Sequence, residues 1–250
     1  MNMVINPDFK QLEGFLKRLP DCFEREGQTI YKARNEIRIF EVEGLVLNVK
    51  SYRKPILLNG FIYSFIRKSK ARRAYENALE VASRGFDTPK PIAFIEQKKA
   101  ALLEHSYFIS VQCTYSRMFR EFADNSDIAG REDIPQALGV YVAALHEAGI
   151  LHLDLSVGNI LFEKEETGIH FSLIDINRMK FCSISQKMGC KNFDRLRGNT
   201  DFFRVLAYSY AKARGFDAEE CLKMILQYNA ESIMHFKKKN KIKRHFRRKN

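Results

Sequence analysis

The sequence predicts an α+β fold in two parts: a five-stranded antiparallel sheet with one helix over residues 1–111, and a mainly helical part over 112–236. Three observations predict this division. Short apolar runs bounded by turn residues fill much of 29–111, as in antiparallel sheets. Apolar residues at helical spacing cover 131–149. Two further apolar runs flank a polar loop at 163–168 and predict a hairpin inside the helical part.

The strands of the first part are predicted where β-branched and aromatic residues cluster, at Thr29–Tyr31, Glu36–Phe40, Leu45–Tyr52, Pro91–Ile95 and Ser106–Val111. Glu43-Gly44 is predicted as the turn between the second and third of these strands. The main helix is predicted over 69–84, and a short helix over 8–20 is expected to end at Pro20. Further helices are expected within 192–214 and over 218–236.

Lys50 is a candidate phosphate ligand. Leu45, Leu47 and Val49 alternate with Val46, Asn48 and Lys50, which predicts a strand with two distinct faces. A lysine on a strand face that lines a cleft can contact nucleotide phosphates. The alternative is a solvated lysine.

Two glutamates of the predicted helix are candidate partners for this lysine. Glu76 borders the apolar stripe of the helix and is predicted to pair with Lys50, with Glu80 as the second choice. The alternative is that both are surface carboxylates near Arg72 and Arg73.

The polar residues around the predicted hairpin point to phosphoryl transfer. If Ile160 lies opposite Ile174, Asn159 and Asp175 flank the same end of the hairpin and offer hard oxygens to Mg²⁺. Asp154 precedes Asn159 by five residues and could accept a proton from an attacking hydroxyl. With His152, these residues have the spacing H-x-D-x-x-x-x-N of kinase catalytic loops. The alternative is that they only cap turns and end a strand.

Composition and charge indicate the compartment and the kinds of partner that we expect for this chain. The five cysteines are scattered without a CxxC spacing, which argues against a zinc site and for a reducing compartment. The N-terminus lacks the features of a signal peptide, and no apolar run is long enough to span a bilayer. The tail, residues 237–250, holds nine Lys or Arg and no acid, so the rest of the chain accounts for only +3 of the net charge of +12. His146 is expected to be packed rather than catalytic.

At these residues the sequence resembles the lipopolysaccharide kinase family, the heptose and Kdo (3-deoxy-D-manno-octulosonic acid) kinases of the protein-kinase-like superfamily. The stretches that carry the resemblance are Lys70–Ala78, Thr88–Ile92, His152–Leu161 and Ile174–Arg178. The chain departs from ordinary protein kinases in three ways. Lys32–Asn35 stands where a glycine-rich loop is usual, Ser156 stands where Ser/Thr kinases have lysine, and no A-P-E sequence follows Asp175.

The resemblance implies a bilobal protein-kinase-like fold and an ATP- and Mg²⁺-dependent phosphotransferase. Asp154 would act as the base, Asn159 and Asp175 would hold Mg²⁺, and Lys50, paired with Glu76, would contact the ATP phosphates. His152 would brace the loop.

The resemblance also implies the acceptor and the location. The acceptor would be a sugar hydroxyl of the lipopolysaccharide inner core, on Kdo or heptose, or that of a related glycolipid. The protein would be cytoplasmic and peripheral to the inner membrane, with tail 237–250 docked on anionic headgroups. Nucleic acid is not favoured as a partner, because the body has no basic motif interleaved with aromatic residues. Two alternatives stay open: a kinase-like enzyme acting on protein or on another small molecule, and a non-catalytic kinase-like binding module.

Overall fold

The computed structural model describes residues 1–52, 68–99, 102–124 and 131–247, with the side chains of 240 and 242–247 left out. The chain forms two compact units. The first comprises Met1–Thr114 and Asp175–Arg178, and the second comprises Tyr115–Ile174 and Met179–Asn250.

The first unit is built on an antiparallel sheet of six strands, in the order β1-β5-β6-β4-β3-β2. The bounds are β1 Asn2–Ile5, β2 Gln28–Lys32, β3 Glu36–Val42, β4 Leu45–Tyr52, β5 Pro91–Lys99 and β6 Leu102–Val111. The prediction of five strands was wrong by one strand. In the additional strand β1 exposed and half-buried residues alternate, and the strand lies at the sheet edge, where it pairs with β5.

Helices of the first unit contact both sides of the sheet. A 3₁₀ helix, Pro7–Leu12, and helix α1, Glu13–Cys22, bury Leu12, Leu16 and Leu19 in one core with Leu47 and Val49 of β4. Helix α2, Lys70–Ser83, places Tyr75 against Phe94 of β5, with ring centroids 5.5 Å apart.

Residues 8–20 are helical as predicted, but the helical structure begins one residue earlier, and the prediction that it ends at Pro20 is wrong. Asn6 caps Asp8 and donates through Nδ2 to the Pro91 carbonyl, so helical structure begins at Pro7. Pro20 lies inside the last turn of α1 rather than ending it.

The predicted turn between β3 and β4 is confirmed. Val42 pairs with Leu45, and both loop residues have positive φ, 51° for Glu43 and 76° for Gly44. Such a two-residue turn matches the natural twist of the strands it joins. It fixes the register that puts Lys50 opposite Ile37 on β3, while the separate pairing with β6 puts Lys50 opposite Phe108.

The second unit is mainly helical, with small sheets around its loops. Its elements are β7 Arg117–Met118, α3 Glu121–Asp124, α4 Asp133–Glu147, β8 Ile150–His152, β9 Ile160–Glu165, β10 Gly168–Leu173, β11 Met179–Phe181, α5 Gln186–Lys191, α6 Thr200–Arg214 and α7 Ala218–Arg247. The predicted helix over 218–236 therefore continues for a further eleven residues into the basic tail. Within the described ranges, no helix combines the length and the apolar character needed to cross a bilayer.

The hairpin of β9 and β10 forms with a register one residue away from the prediction. Ile160 lies opposite Leu173, and Phe162 lies opposite Phe171. The reason is the turn: β9 continues to Glu165 and β10 begins at Gly168, so the loop has only two residues. This register puts Ile160 and Phe162 on the buried side together with Leu173 and Phe171.

Gly139 permits a close approach of α4 and α6. A Cβ at this position would lie 2.5 Å from the Leu206 carbonyl oxygen and would overlap Ser209 Oγ. The Leu206 carbonyl belongs to the backbone of α6, so rotating the Ser209 side chain alone cannot relieve the overlap.

We therefore expect Gly139→Ala to lower the free energy of unfolding by about 1–3 kcal/mol, through overpacking. Urea unfolding would measure this. Gly14→Ala is the matched control, because Gly14 is also helical and nothing lies within 4 Å of its Cβ position. An unchanged stability of Gly139→Ala would contradict the close approach of the two helices.

Candidate active site

Lys50 is a paired and largely buried cation. Its Nζ donates to Asp175 Oδ1 at 2.6 Å, and its side chain is 13% exposed. The ammonium also lies 5.4 Å from the ring centroid of Tyr52, which is itself buried. The two-faced strand predicted from the alternation is confirmed, and the alternative of a solvated lysine is excluded.

Asp175 has an unusual backbone conformation. Its φ is +57°, in the left-handed region that costs non-glycine residues free energy, although aspartate tolerates it better than most. Two side chains hold this turn. Asn177 Nδ2 donates to Asp175 Oδ1 at 2.5 Å, and Asn77 Nδ2 on α2 donates to the Ile176 carbonyl at 2.7 Å. The carboxylate is thus held at a strained position, a feature typical of functional sites.

The predicted Lys50–Glu76 ion pair is not formed. Glu76 instead forms ion pairs with Lys68 at 2.8 Å and with Arg72 at 2.9 Å, while Lys50 pairs with Asp175. Burial acts to raise the pKa of Glu76, but hydrogen bonds from Lys68 and Arg72 outweigh it and hold the pKa below its ordinary value. The reason for the error is local, because Arg72 lies one helical turn away.

The second-choice partner, Glu80, is also occupied. It pairs with Arg84, one turn further along α2. Asn77, the neighbour of Glu76 on α2, does contact the Asp175–Arg178 segment, through the Ile176 carbonyl.

Positive charge surrounds Lys70 at the start of α2. Burial lowers the pKa of Lys70, and the charges of Arg34, Arg73 and Lys50 lower it further, while Asp175 opposes them. Arg34 lies between β2 and β3, in the stretch that replaces a glycine-rich loop. The first unit therefore gathers cations in a partly buried setting that suits an anionic ligand such as a polyphosphate.

In the second unit, His152 braces the loop that carries Asp154. Its Nδ1 accepts the Asp154 backbone N–H at 3.0 Å, so its Nε2 carries the proton and donates to the Ile174 carbonyl at 3.1 Å. Both ring nitrogens are engaged by backbone. The imidazole thus ties the loop to the end of strand β10.

Asn159 closes the same loop. Its Nδ2 donates to the Asp154 carbonyl at 2.9 Å, and its own carbonyl accepts the Ile174 N–H at 3.0 Å. Because the amide nitrogen is used within the loop, Oδ1 is the atom that could take a metal ion.

Two arginines, neither identified from the sequence, contact this loop. Arg195 forms an ion pair with the Asp154 carboxylate through Nη1. Arg120 lies over Gly158, where an added Cβ would come within 2.9 Å of its Nη2. No local signal in the sequence marks either residue, since both come from segments distant from residues 154–159.

A chain of hydrogen bonds from the helices of the second unit supports the loop that carries Asp154. The Tyr210 hydroxyl donates to His146 Nδ1 at 2.9 Å, and His146 Nε2 donates to Asn192 Oδ1 at 3.1 Å. Asn192 Nδ2 then donates to the His152 carbonyl at 2.8 Å. His146 is 2% exposed, so the prediction that it is packed is confirmed.

The residues present fit a magnesium site completed by a nucleotide. Among the described residues, no group of three or more His, Cys, Asp or Glu is placed to hold a metal ion. Mg²⁺ in phosphoryl-transfer sites needs only one or two protein oxygens besides phosphates and water. The Asp175 carboxylate of the first unit and Asn159 Oδ1 of the second are each an oxygen ligand of this kind.

The chain is similar to known proteins in sequence and in fold. The sequence model of the "Lipopolysaccharide kinase (Kdo/WaaP) family" matches residues 25–216. A solved structure, "WaaP in complex with acyl carrier protein", is similar with a TM-score of 0.64 at 16% identity, over 94% of this chain and 99% of that one. At that identity the likeness concerns the fold, and the predicted α+β protein-kinase-like fold is confirmed.

Curated relatives carry the name 3-deoxy-D-manno-octulosonic acid kinase. One, from Xanthomonas euvesicatoria pv. vesicatoria (strain 85-10), is 29% identical over 152 residues, 55% of this chain and 58% of its own length. Another, from Xanthomonas axonopodis pv. citri (strain 306), is 28% identical over the same extent. The chain therefore spans about 58% of the length of these relatives.

The fold and the braced His152–Asn159 loop define a protein of the kinase-like class. Within that class the family match covers well over half of the chain and includes Lys50, Asp154, Asn159 and Asp175. The chain belongs to the lipopolysaccharide kinase (Kdo/WaaP) family.

The buried His146 makes stability depend on pH. Burial lowers the pKa of His146 to about 4, and the charge of Arg214 adds to this, while the bond to Asn192 opposes it. In the unfolded chain the pKa of histidine is about 6.5. The unfolded state therefore binds more protons between these values, and stability that is full above pH 6.5 is lost as the pH falls toward 4.

We expect the free energy of unfolding to fall by about 3 kcal/mol over that window. Urea unfolding between pH 4 and 7 measures it. In His146→Gln the slope should flatten, while the exposed His170→Gln should keep the wild-type slope. Equal slopes in His146→Gln and wild type would contradict this assignment.

Proposed function

We propose that this chain is an ATP- and Mg²⁺-dependent kinase that phosphorylates a sugar hydroxyl of the lipopolysaccharide inner core, with Kdo as the acceptor. The observation that carries the proposal is the braced loop of Asp154 and Asn159 inside a family match that also contains Lys50 and Asp175. The curated relatives are named as kinases of this sugar, which favours Kdo over heptose.

Asp154 orients the acceptor. In the transfer step the sugar hydroxyl oxygen attacks the γ-phosphorus, and the bond from that phosphorus to the bridging oxygen breaks. ADP leaves with the electron pair, and the hydroxyl proton passes to the Asp154 carboxylate. His152 and Asn159 hold the backbone of Asp154 through three hydrogen bonds to the loop and the adjoining strand. Their contribution is positioning.

The cations of the first unit bind the nucleotide. Lys50 contacts the phosphates, and Lys70 and Arg34 provide the positive charge that compensates for the missing glycine-rich loop. Asp175 and Asn159 Oδ1 would hold Mg²⁺, which when bound neutralises developing charge on the phosphate oxygens. Glu76 has no role here, because its carboxylate is held by Lys68 and Arg72.

The activity is tested with labelled ATP and two acceptors offered separately, deacylated inner-core sugar and total cell protein. Wild type should label the sugar, and label on protein instead would favour the alternative of a protein kinase. Asp154→Asn should lower kcat by about 10²–10⁴, since it removes the proton acceptor.

The matched control for this variant is Asp201→Asn, an exposed aspartate on α6 that pairs only locally with Arg204. It should keep the wild-type kcat. A wild-type kcat in Asp154→Asn as well would contradict the assigned role. A chain that binds no Mg²⁺-ATP by calorimetry would favour the non-catalytic alternative.

The basic tail is proposed to hold the enzyme on an anionic membrane surface, at the cytoplasmic face of the inner membrane. Helix α7 continues to Arg247, and its exposed residues include Met234 and Phe236 followed by Lys237, Lys238, Lys239 and Lys241. Each lysine near an anionic leaflet contributes about 1 kcal/mol to the free energy of membrane binding. Adjacent exposed apolar side chains strengthen binding further when they are buried in the membrane interface.

Replacing Lys237, Lys238 and Lys239 by Gln should weaken binding to vesicles that contain anionic lipid by about 100-fold, following the same estimate per lysine. Co-sedimentation at low and high salt measures it. The control replaces three exposed lysines elsewhere, Lys10, Lys187 and Lys223, so that the net charge changes equally. Equal weakening by both triple variants would mean that overall charge, and not the tail, governs binding.

A further inference from the structure

We propose that Arg195 contacts the transferring phosphoryl group and supplies the positive charge that Ser/Thr kinases place two residues after the catalytic aspartate, where this chain has Ser156. The inference rests on the proposed function. It adds a catalytic residue to the reaction, taken from a segment that lies well after the catalytic loop in sequence.

The first observation is where the guanidinium lies. Arg195 Nη1 contacts Asp154 Oδ1, the carboxylate that would receive the acceptor proton. The Arg195 side chain is 47% exposed and that of Asp154 is 23% exposed, so the pair is open to solvent on the arginine side. A guanidinium has several N–H donors in a planar fork, so one can stay on a carboxylate while others reach a phosphoryl oxygen.

The second observation is how firmly the backbone of Arg195 is held. Arg195 forms a parallel β-bridge with Ser156, the residue that stands where the kinase lysine would be. On its other side, Asn229 Nδ2 on α7 donates to the carbonyls of both neighbours, Asp194 at 3.1 Å and Leu196 at 2.8 Å. Leu196 is fully buried and Asn229 is 6% exposed. An incidental surface ion pair does not require a fixed arginine backbone, whereas a preorganised charge does.

The chemistry requires a cation at this point. As the hydroxyl oxygen attacks and the bond to the bridging oxygen breaks, negative charge spreads over the equatorial phosphoryl oxygens. The attacking hydroxyl is held by Asp154, so the phosphorus lies one bond beyond the oxygen that Asp154 contacts. A guanidinium already on Asp154 is therefore next to the phosphoryl group without any movement of its backbone, and the proton still passes to Asp154.

The test measures kcat and KM for both ATP and the Kdo-containing acceptor. Arg195→Gln should lower kcat by about 10²–10³, the usual loss on removing one preorganised charge donor, with both KM values changed little. Adding Ser156→Lys to Arg195→Gln should restore kcat at least tenfold, because lysine returns the charge to the position used in Ser/Thr kinases. Arg204→Gln is the matched control, since Arg204 is similarly exposed and pairs locally with Asp201.

Other outcomes would overturn the inference. A wild-type kcat in Arg195→Gln excludes any catalytic role. A raised KM for the acceptor alone assigns Arg195 to an anionic group of the sugar. Arg195 would instead be a positioning residue for Asp154 if two results follow a lowered kcat in Arg195→Gln. The first is that Ser156→Lys does not restore kcat. The second is that adding Arg195→Gln to Asp154→Asn causes no further loss.

The proposed function is tested separately by the wild-type chain. If wild type transfers no phosphate to sugar, that function fails, and the effect of Arg195→Gln is then read from hydrolysis of ATP by water. An unchanged rate of hydrolysis overturns the role of Arg195 independently of the acceptor.

Discussion

The two backbone hydrogen bonds of Ile174 are the constraint on which the site depends. Its N–H donates to the Asn159 carbonyl, and its carbonyl accepts the Nε2 proton of His152. One residue thereby ties the end of strand β10 to both ends of the loop that carries Asp154. The next residue in the chain is Asp175, whose backbone has the left-handed conformation. Because backbone groups make these bonds, the arrangement tolerates changes in the side chain at position 174.

Electrostatics gives the two units different characters. In the first, cations from three elements gather around Lys70, where the strained Asp175 carboxylate opposes their charge, and burial keeps Lys50 and Tyr52 out of water. In the second, the Arg195 guanidinium meets the Asp154 carboxylate at the edge of solvent. The same unit contains a neutral, hydrogen-bonded chain of Tyr210, His146 and Asn192. These neutral hydrogen bonds hold the His152 loop in position without adding a net charge. The charges next to a ligand are therefore those of Asp154 and Arg195.

Patterns with local causes could be predicted from the sequence. Alternation along β4 identified the face of Lys50, and the H-x-D-x-x-x-x-N spacing identified a loop that is indeed closed by His152 and Asn159. The hairpin was predicted, but its register was not, since that depends on whether polar residues such as Glu165 belong to the strand or to the loop. Partners brought from distant segments were missed for a different reason. Arg195, Asn192 and Asn77 have ordinary local surroundings, and only tertiary packing gives them their contacts.

Helix α7 has a mechanical consequence. The described side chains after Asn229 are exposed or half-buried, yet the helix continues to Arg247. At 1.5 Å per residue, this stretch is a rod about 27 Å long. A flexible tether of the same composition would let the protein explore many heights above a charged surface. If the tail binds that surface as proposed, a continuous helix restricts the distance between the body of the protein and the surface, which would favour acceptors whose reactive sugar projects by that distance.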